Sequence, residues 1–445
     1  MSERLTSVGL DVGTTSTQLV VSALTVENRA SAFAVPDMEI TRREVLYRSP
    51  VYFTPLLRQD LVDGEKLREI VKKEYLAAGI DRAGVDTGAV IITGETSRKE
   101  NARTVLSSLS DFAGDFVVAT AGPDLESVLA AKGAGAVDYS ENSGKTVLHM
   151  DIGGGTSNLS LIRDGKILRT GCLNVGGRLI RFDSSGIIRY VSPVLAGLTE
   201  LKPGDPATEE ALTPVAQLLA RALEWAAGRD PGPLPDSLFT GEAEQNWTPP
   251  REAVTVSFSG GVADCIETDR HWQAFGDLGV LLGRAIRESR LCREDYILGQ
   301  ETIRATVIGA GCHSAQLSGS TVFYRNVQFP LKNLPVACID CPEDIFTALS
   351  RQDGPAVIAW PGIQSPSYGQ IRDAADILCQ ARGPLILCLE ADMAKALGQA
   401  LALRLPENIP ILCMDRVPLR EGSYLDIGAP TGSALPVVVK TLVLQ

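Results

Sequence analysis

Residues 8–22 read VGLDVGTTSTQLVVS, and residues 146–162 read TVLHMDIGGGTSNLSLI. Each is an apolar, β-rich run, a turn of Gly, Thr and Ser, and a second β-rich run, the pattern of a strand, a tight turn and a strand. Segments 9–18 (GLDVGTTSTQ) and 149–158 (HMDIGGGTSN) share an Asp, an apolar residue and a Gly, followed by hydroxyl residues. Related hairpins about 140 residues apart predict two similar domains facing each other.

Turns rich in Gly, Ser and Thr can point backbone N–H groups and hydroxyls at phosphate oxygens. Gly13 permits close backbone approach in the first turn, where Thr14, Thr15 and Ser16 supply hydroxyls. Gly153, Gly154 and Gly155 form the second turn, with Thr156 and Ser157 as donors. Each hairpin also carries a carboxylate, Asp11 or Asp151, at the end of its first strand. A carboxylate beside a phosphate is repulsive unless a cation lies between them. Mg2+, held through waters by one or two carboxylates and by phosphate oxygens, resolves that conflict. A lone Asp-x-Gly hairpin is a common plain turn. Two of them, with a later strand at 254–258 running into Ser259-Gly260-Gly261, mark a phosphate-binding pair.

Around the hairpins, Leu67, Ile70, Val71, Tyr75 and Leu76 recur at helical spacing and predict a helix over 64–79 closed by Gly79. Further strands are predicted at 45–57, 89–93, 116–119 and 167–175, and helices at 97–109, 123–133, 208–227, 279–291 and 304–317. Residues 229–250, rich in Pro and Gly, read as a surface loop. Thr93-Gly94-Glu95-Thr96 reads as a helix-capping segment, with approach to a nucleotide cleft as its rival. Beyond about 320, strands at 357–360, 385–389 and 411–414 alternate with helices at 370–381 and 392–404, and a last strand is expected over 437–444. That alternation predicts a parallel α/β unit. The expected domains are 1–144, 145–320 and 321–445, the last available for a partner.

Net charge is −12, with no basic stripe, so nucleic acid is not an expected partner. No run of about 18 apolar residues exists, so no membrane span is expected, and Met1 to Thr6 carry no signal-peptide core. The nine cysteines are odd in number and scattered, which reads as reduced and intracellular. Cys338 and Cys341 form a single C-x-x-C without a second ligand pair and read as plain thiols. His149, His271 and His313 read as structural.

Five segments in order resemble the motifs of the actin-like ATPase superfamily, which includes actin, sugar kinases and heat-shock chaperone ATPases. The two hairpins are similar to its phosphate motifs. GPDLESVLAAKGAGA (122–136) and ATVIGAGCHSAQLSG (305–319) resemble its two interdomain helices, and VSFSGGVADCI (256–266) its adenosine motif. The resemblance implies an α/β, actin-like ATPase fold of two duplicated ribonuclease-H-like domains around a nucleotide cleft, plus a C-terminal α/β domain. It also implies ATP in the cleft, Mg2+ near Asp11 and Asp151, Gly260 and Gly261 against the adenosine, and Gly309 in the nucleotide-binding set. In that superfamily an acidic or amide residue at the start of the first interdomain helix positions the attacking water. Asp124 is the nearest match and Glu126 its rival, although carboxylates at a helix start also simply complement the dipole. No lysine matches the chaperones' catalytic lysine.

The likeness narrows along the whole chain. RSPVYFTPL (48–56), ITGETSRKENAR (92–103), YLDIGAP (424–430) and LPVVVKTLVL (435–444), with both hairpins, are similar to the reactivating factors of ethanolamine ammonia-lyase. That resemblance implies a cytoplasmic, chaperone-like ATPase of slow turnover in ethanolamine catabolism, compatible with a bacterial microcompartment and with a homodimer. Its partner would be ethanolamine ammonia-lyase, whose damaged cobalamin is exchanged for adenosylcobalamin; the cobalamin belongs to the lyase. Rival readings are a small-molecule kinase, an ATP-driven polymer and an ATP-binding regulator without turnover.

Overall fold

The structure, a computed structural model, describes residues 2–13, 16–29, 38–58, 61–81, 84–93, 109, 117–120, 123–240, 247–313, 316–318, 321–352, 354–381, 383–430 and 434–441. Two sheets share one strand order. In the first, Ser2–Val12 pairs antiparallel with Ser16–Asn28, which pairs antiparallel with Met38–Arg48. On its other side Ser2–Val12 runs parallel to Thr87–Ile92, and that strand runs parallel to Val117–Thr120. In the second, Val147–Ile152, Ser157–Arg163 and Lys166–Leu173 form the antiparallel meander, and Thr255–Ser259 and Tyr296–Leu298 the parallel flank. An order of three-two-one-four-five, formed twice, is the duplication that the paired hairpins predict.

Alternation along the central strands divides polar from apolar faces. Leu148, Met150, Ile152, Val256 and Phe258 enter a core that takes Leu212, Leu219 and Leu223 from the helix Glu209–Ala226. Thr208 caps that helix by accepting from the Ala211 N–H. In the first half Val8, Leu10 and Val12 meet Leu67, Val71 and Tyr75 of the helix Gly64–Ala78. Gly79 closes that helix at φ 67°, a left-handed position that glycine occupies without strain.

The interdomain helices Pro123–Gly133 and Ala305–His313 cross at small residues. A Cβ on Gly133 would lie 1.9 Å from the Ala305 carbonyl oxygen, and one on Gly309 2.0 Å from that of Leu129. A Cβ on Gly9 would lie 2.4 Å from the Val307 oxygen, so the second helix also rests directly on the first sheet.

Beyond it, Leu331–Cys338, Val357–Trp360, Leu385–Leu389 and Ile411–Asp415 form four adjacent parallel strands of an eight-stranded sheet. Tyr368–Leu378 and Ala394–Ala402 pack on one face of it. The strand Pro436–Thr441 pairs with Gln316–Leu317 and Ser423–Ile427.

Some elements differ from expectation. The strand expected over 45–57 is Met38–Arg48, followed by the short pieces Tyr52–Phe53 and Leu56–Arg58, because Pro50 has no N–H to continue a ladder. The helix expected over 304–317 ends at His313, and Gln316–Leu317 turns into the third sheet. A second helix, Ala136–Ser143, follows the first interdomain helix after left-handed Gly135. The helix expected over 97–109 falls almost entirely outside the described residues. All nine cysteines are free thiols, and among the described residues no helix is long and apolar enough to cross a membrane.

Candidate functional site

The two hairpin turns close alike. Gly13 N–H donates to the Ser16 carbonyl at 2.9 Å, and Gly153 N–H to the Thr156 carbonyl at 2.9 Å. Asp11 is the cross-strand partner of Gln18, and Asp151 that of Asn158. Both aspartates line one cavity of about 620 Å3, together with Gly13, Ser16 and Gly153 to Thr156. Gly260 and Gly261 line its other side. Gly260 has φ 86°, and a Cβ there would lie 2.3 Å from the Ile152 oxygen, so this turn sits directly on the second hairpin. Thr14 and Thr15 lie outside the described residues.

Both carboxylates are nearly buried, at 9% and 6% exposure. Desolvation raises Asp11 to about 7, opposed by the Thr93 hydroxyl and reinforced by the charge of Asp151. Desolvation raises Asp151 to about 6, opposed by hydrogen bonds from Ser259 and Thr306. Thr93 donates to Asp11 Oδ1 at 2.9 Å, so the rival reading of its segment places this residue at the cleft; Gly94 to Thr96 lie outside the described residues. Gln18 reaches across the halves: its Nε2 donates to the Ile303 carbonyl at 3.0 Å, while its Oε1, buried against the same cavity, has no hydrogen-bond partner among the described residues.

The residues present suit a hydrated divalent cation. Two buried carboxylates that repel one another and an orphaned amide oxygen are a donor set of the kind that Mg2+ takes through its waters. Asp11, Asp151 and Gln18 would hold it.

Two expected site residues stand elsewhere. Asp124 is exposed and accepts from Thr170 Oγ1 at 2.5 Å; Glu126, two residues further along the helix, lines the cavity. Two residues along an α-helix is about 200° around its axis, so the two carboxylates stand on different faces and only that of Glu126 lines the cavity. Gly309 is buried at the helix crossing against Leu129, where its missing side chain serves packing and not ligand contact.

Arg178 and Arg270 line the cavity and were not anticipated. The Arg178 guanidinium lies 5.8 Å from the Phe53 ring centroid across the cleft, and its Nε 3.7 Å from Asp277 Oδ2. Its own N–H donates to the Gly154 carbonyl at 2.7 Å, buttressing the second turn. A Gly-Gly-Arg at 176–178 was the available signal, but its contact with residue 154 is long-range. No lysine lines the cavity among the described residues.

The chain is 40% identical over 466 residues to the ethanolamine ammonia-lyase reactivase EutA of Salmonella typhimurium, covering 99% of each. It is 39% identical over 478 residues to the protein of the same name from Escherichia coli, again covering 99% of each. Among solved structures, the Aquifex aeolicus PPX-GPPA enzyme is similar over 69% of this chain and 99% of that chain, with 13% identity and a TM-score of 0.43. The actin-like assignment rests on the repeated sheet order and the paired hairpins, not on that likeness. The model of the family described as ethanolamine utilisation protein EutA matches residues 3–445, and the chain belongs to that family.

Proposed function

We propose that this protein is a chaperone-like ATPase that reactivates ethanolamine ammonia-lyase by exchanging damaged cobalamin for adenosylcobalamin. The reading is supported by the reactivase relatives over the full chain. The single observation that carries its chemistry is the pair of buried carboxylates, one from each duplicated hairpin, on one cavity.

When bound, Mg·ATP supplies the triphosphate whose cleavage drives the cycle. Gly13, Ser16 and Gly153 to Thr156 offer backbone and hydroxyl donors to phosphate oxygens, and Asp11 and Asp151 hold the cation's waters. Glu126 orients the attacking water. Gly260 and Gly261 allow the adenosine to approach the backbone, and Arg178 offsets phosphate charge. A ligand touching both halves sets the angle between them, as in hinge closure. A lyase that favours one angle has its own state shifted by linkage. We further propose units near 1–144, 145–320 and 321–445, with the third gripping the lyase in the cytoplasm.

The test is reactivation. Cyanocobalamin-blocked ethanolamine ammonia-lyase is incubated with the protein, ATP, Mg2+ and adenosylcobalamin. Lyase activity should return, and should not return without ATP. Recovery independent of ATP, or none, would overturn the reading.

A further inference from the structure

His149 is fully buried, and its ring is bonded at both nitrogens. Nδ1 lies 3.1 Å from Ser257 Oγ and Nε2 2.9 Å from Ser259 Oγ. Ser259 in turn donates to Asp151 Oδ1. The arrangement follows from register: in adjacent parallel strands His149 pairs with Ser257 and Asp151 with Ser259. Period-two alternation therefore puts all four side chains on one face, opposite Leu148, Met150 and Phe258.

The proton positions are then fixed by valence. A hydroxyl has one proton, and that of Ser259 goes to Asp151. Ser259 Oγ must accept from His149 Nε2–H. His149 Nδ1 is then the acceptor for the Ser257 hydroxyl. The chain from Ser257 through His149 and Ser259 to Asp151 runs in one direction, toward the carboxylate, with a neutral ring. Burial favours that neutral ring.

The first half lacks this device. Its residue equivalent to His149 is Gly9, and the residues paired with Gly9 and Asp11 are Ala89 and Ile91. Gly9 there admits the second interdomain helix. Asp11 is oriented by Thr93 instead.

We infer that His149 is a positioning residue that, through Ser259, holds Asp151 Oδ1 so that the rest of the carboxylate is presented to a metal-bound nucleotide. The inference rests on the nucleotide reading above.

The experiment measures ATP binding by calorimetry across a Mg2+ titration, with unliganded melting temperature beside it. Wild type, His149→Phe, His149→Gln and Ser259→Ala are compared. Both His149→Phe and Ser259→Ala should shift the half-maximal Mg2+ concentration upward about tenfold, the loss typical of a partner behind a metal-serving group. His149→Gln, which keeps a donor and an acceptor, should recover part of it. Ser259→Ala keeps the buried ring and removes only the link, so it reports on position even if His149→Phe unfolds. An unshifted Mg2+ dependence in folded Ser259→Ala, with wild type binding normally, overturns the inference alone. Wild type that does not bind ATP overturns the nucleotide reading and this inference with it.

Discussion

Charge decides the behaviour of single residues in the cleft. The carboxyls of Asp11 and Asp151 are raised to about 7 and about 6 from an ordinary value of 3.8. A carboxyl whose folded pKa is raised binds its proton more tightly in the folded state. It favours folding below the unfolded value and loses that contribution as pH rises through the folded value. Thr93, Ser259 and Thr306 face these groups as donors and reduce the effect without reversing it. The metal-free protein should therefore lose melting temperature between pH about 4 and about 7. Asp11→Asn should flatten that slope and melt higher than wild type on the alkaline side. Added Mg·ATP should raise the melting temperature of wild type but not of Asp11→Asn or Asp151→Asn. Wild-type reactivation by either variant would remove the carboxylates from the mechanism. Glu126 and Asp124 separate in the same way. Glu126→Gln should slow ATP hydrolysis by about 100-fold or more with nucleotide affinity kept, a span ordinary for a group that handles the attacking water's proton. Asp124→Asn, altering an exposed group bonded to Thr170, should leave the rate near wild type.

Elements carry this chemistry because helices and sheets meet where side chains are missing. Gly309→Ala would place a methyl 2.0 Å from the Leu129 oxygen, and Gly133→Ala one 1.9 Å from the Ala305 oxygen. Backbone cannot yield as a flexible side chain can, so each should cost about 1–3 kcal/mol by denaturant unfolding. Each should also weaken ATP binding, although neither glycine lines the cavity, because the crossing sets the separation of the two hairpins. These helices and hairpins were legible because their signals are local: Asp, Gly and hydroxyls within ten residues, or apolar residues at helical spacing. Gly309 could be placed on its helix from sequence, but not its role, since ligand contact and close packing both ask for glycine. Asp124 and Glu126 are likewise indistinguishable until the direction of the helix is known. In sequence His149 reads as a packing residue because its partners, Ser257 and Ser259, lie 108 and 110 positions away. The strand Leu331–Cys338 is hard to read in sequence because Pro335 argues against a strand interior, and its pairing with Ser423–Ile427 carries a register shift between Leu331 and Leu334.

At the scale of the whole molecule, the strand Pro436–Thr441 binds the third sheet to the two duplicated halves. Leu435 N–H donates to Ser318 Oγ at 2.9 Å, and Ser318 N–H to the Leu435 carbonyl at 2.9 Å, just beyond the second interdomain helix. Val438 is buried with Ala89 and Ile91 of the first sheet, Leu129 of one interdomain helix and Ala310 of the other. Val438 thus shares one buried cluster with the three elements whose relative position defines the cleft. Removing 321–445 would expose that cluster, so the truncated chain should lose ATP binding together with reactivation. Such a loss cannot separate a lyase-gripping role from a structural one. Val438→Asp separates them by acting only on the joint. A carboxylate placed in that buried apolar cluster should cost at least about 2 kcal/mol. If the third unit is coupled to the cleft here, Val438→Asp should weaken ATP binding while the lyase still binds in the absence of nucleotide. Reactivation should fall in proportion to the lost ATP binding and recover at saturating ATP. Full ATP affinity in a folded Val438→Asp protein would show that the third unit rides on the halves without sensing them.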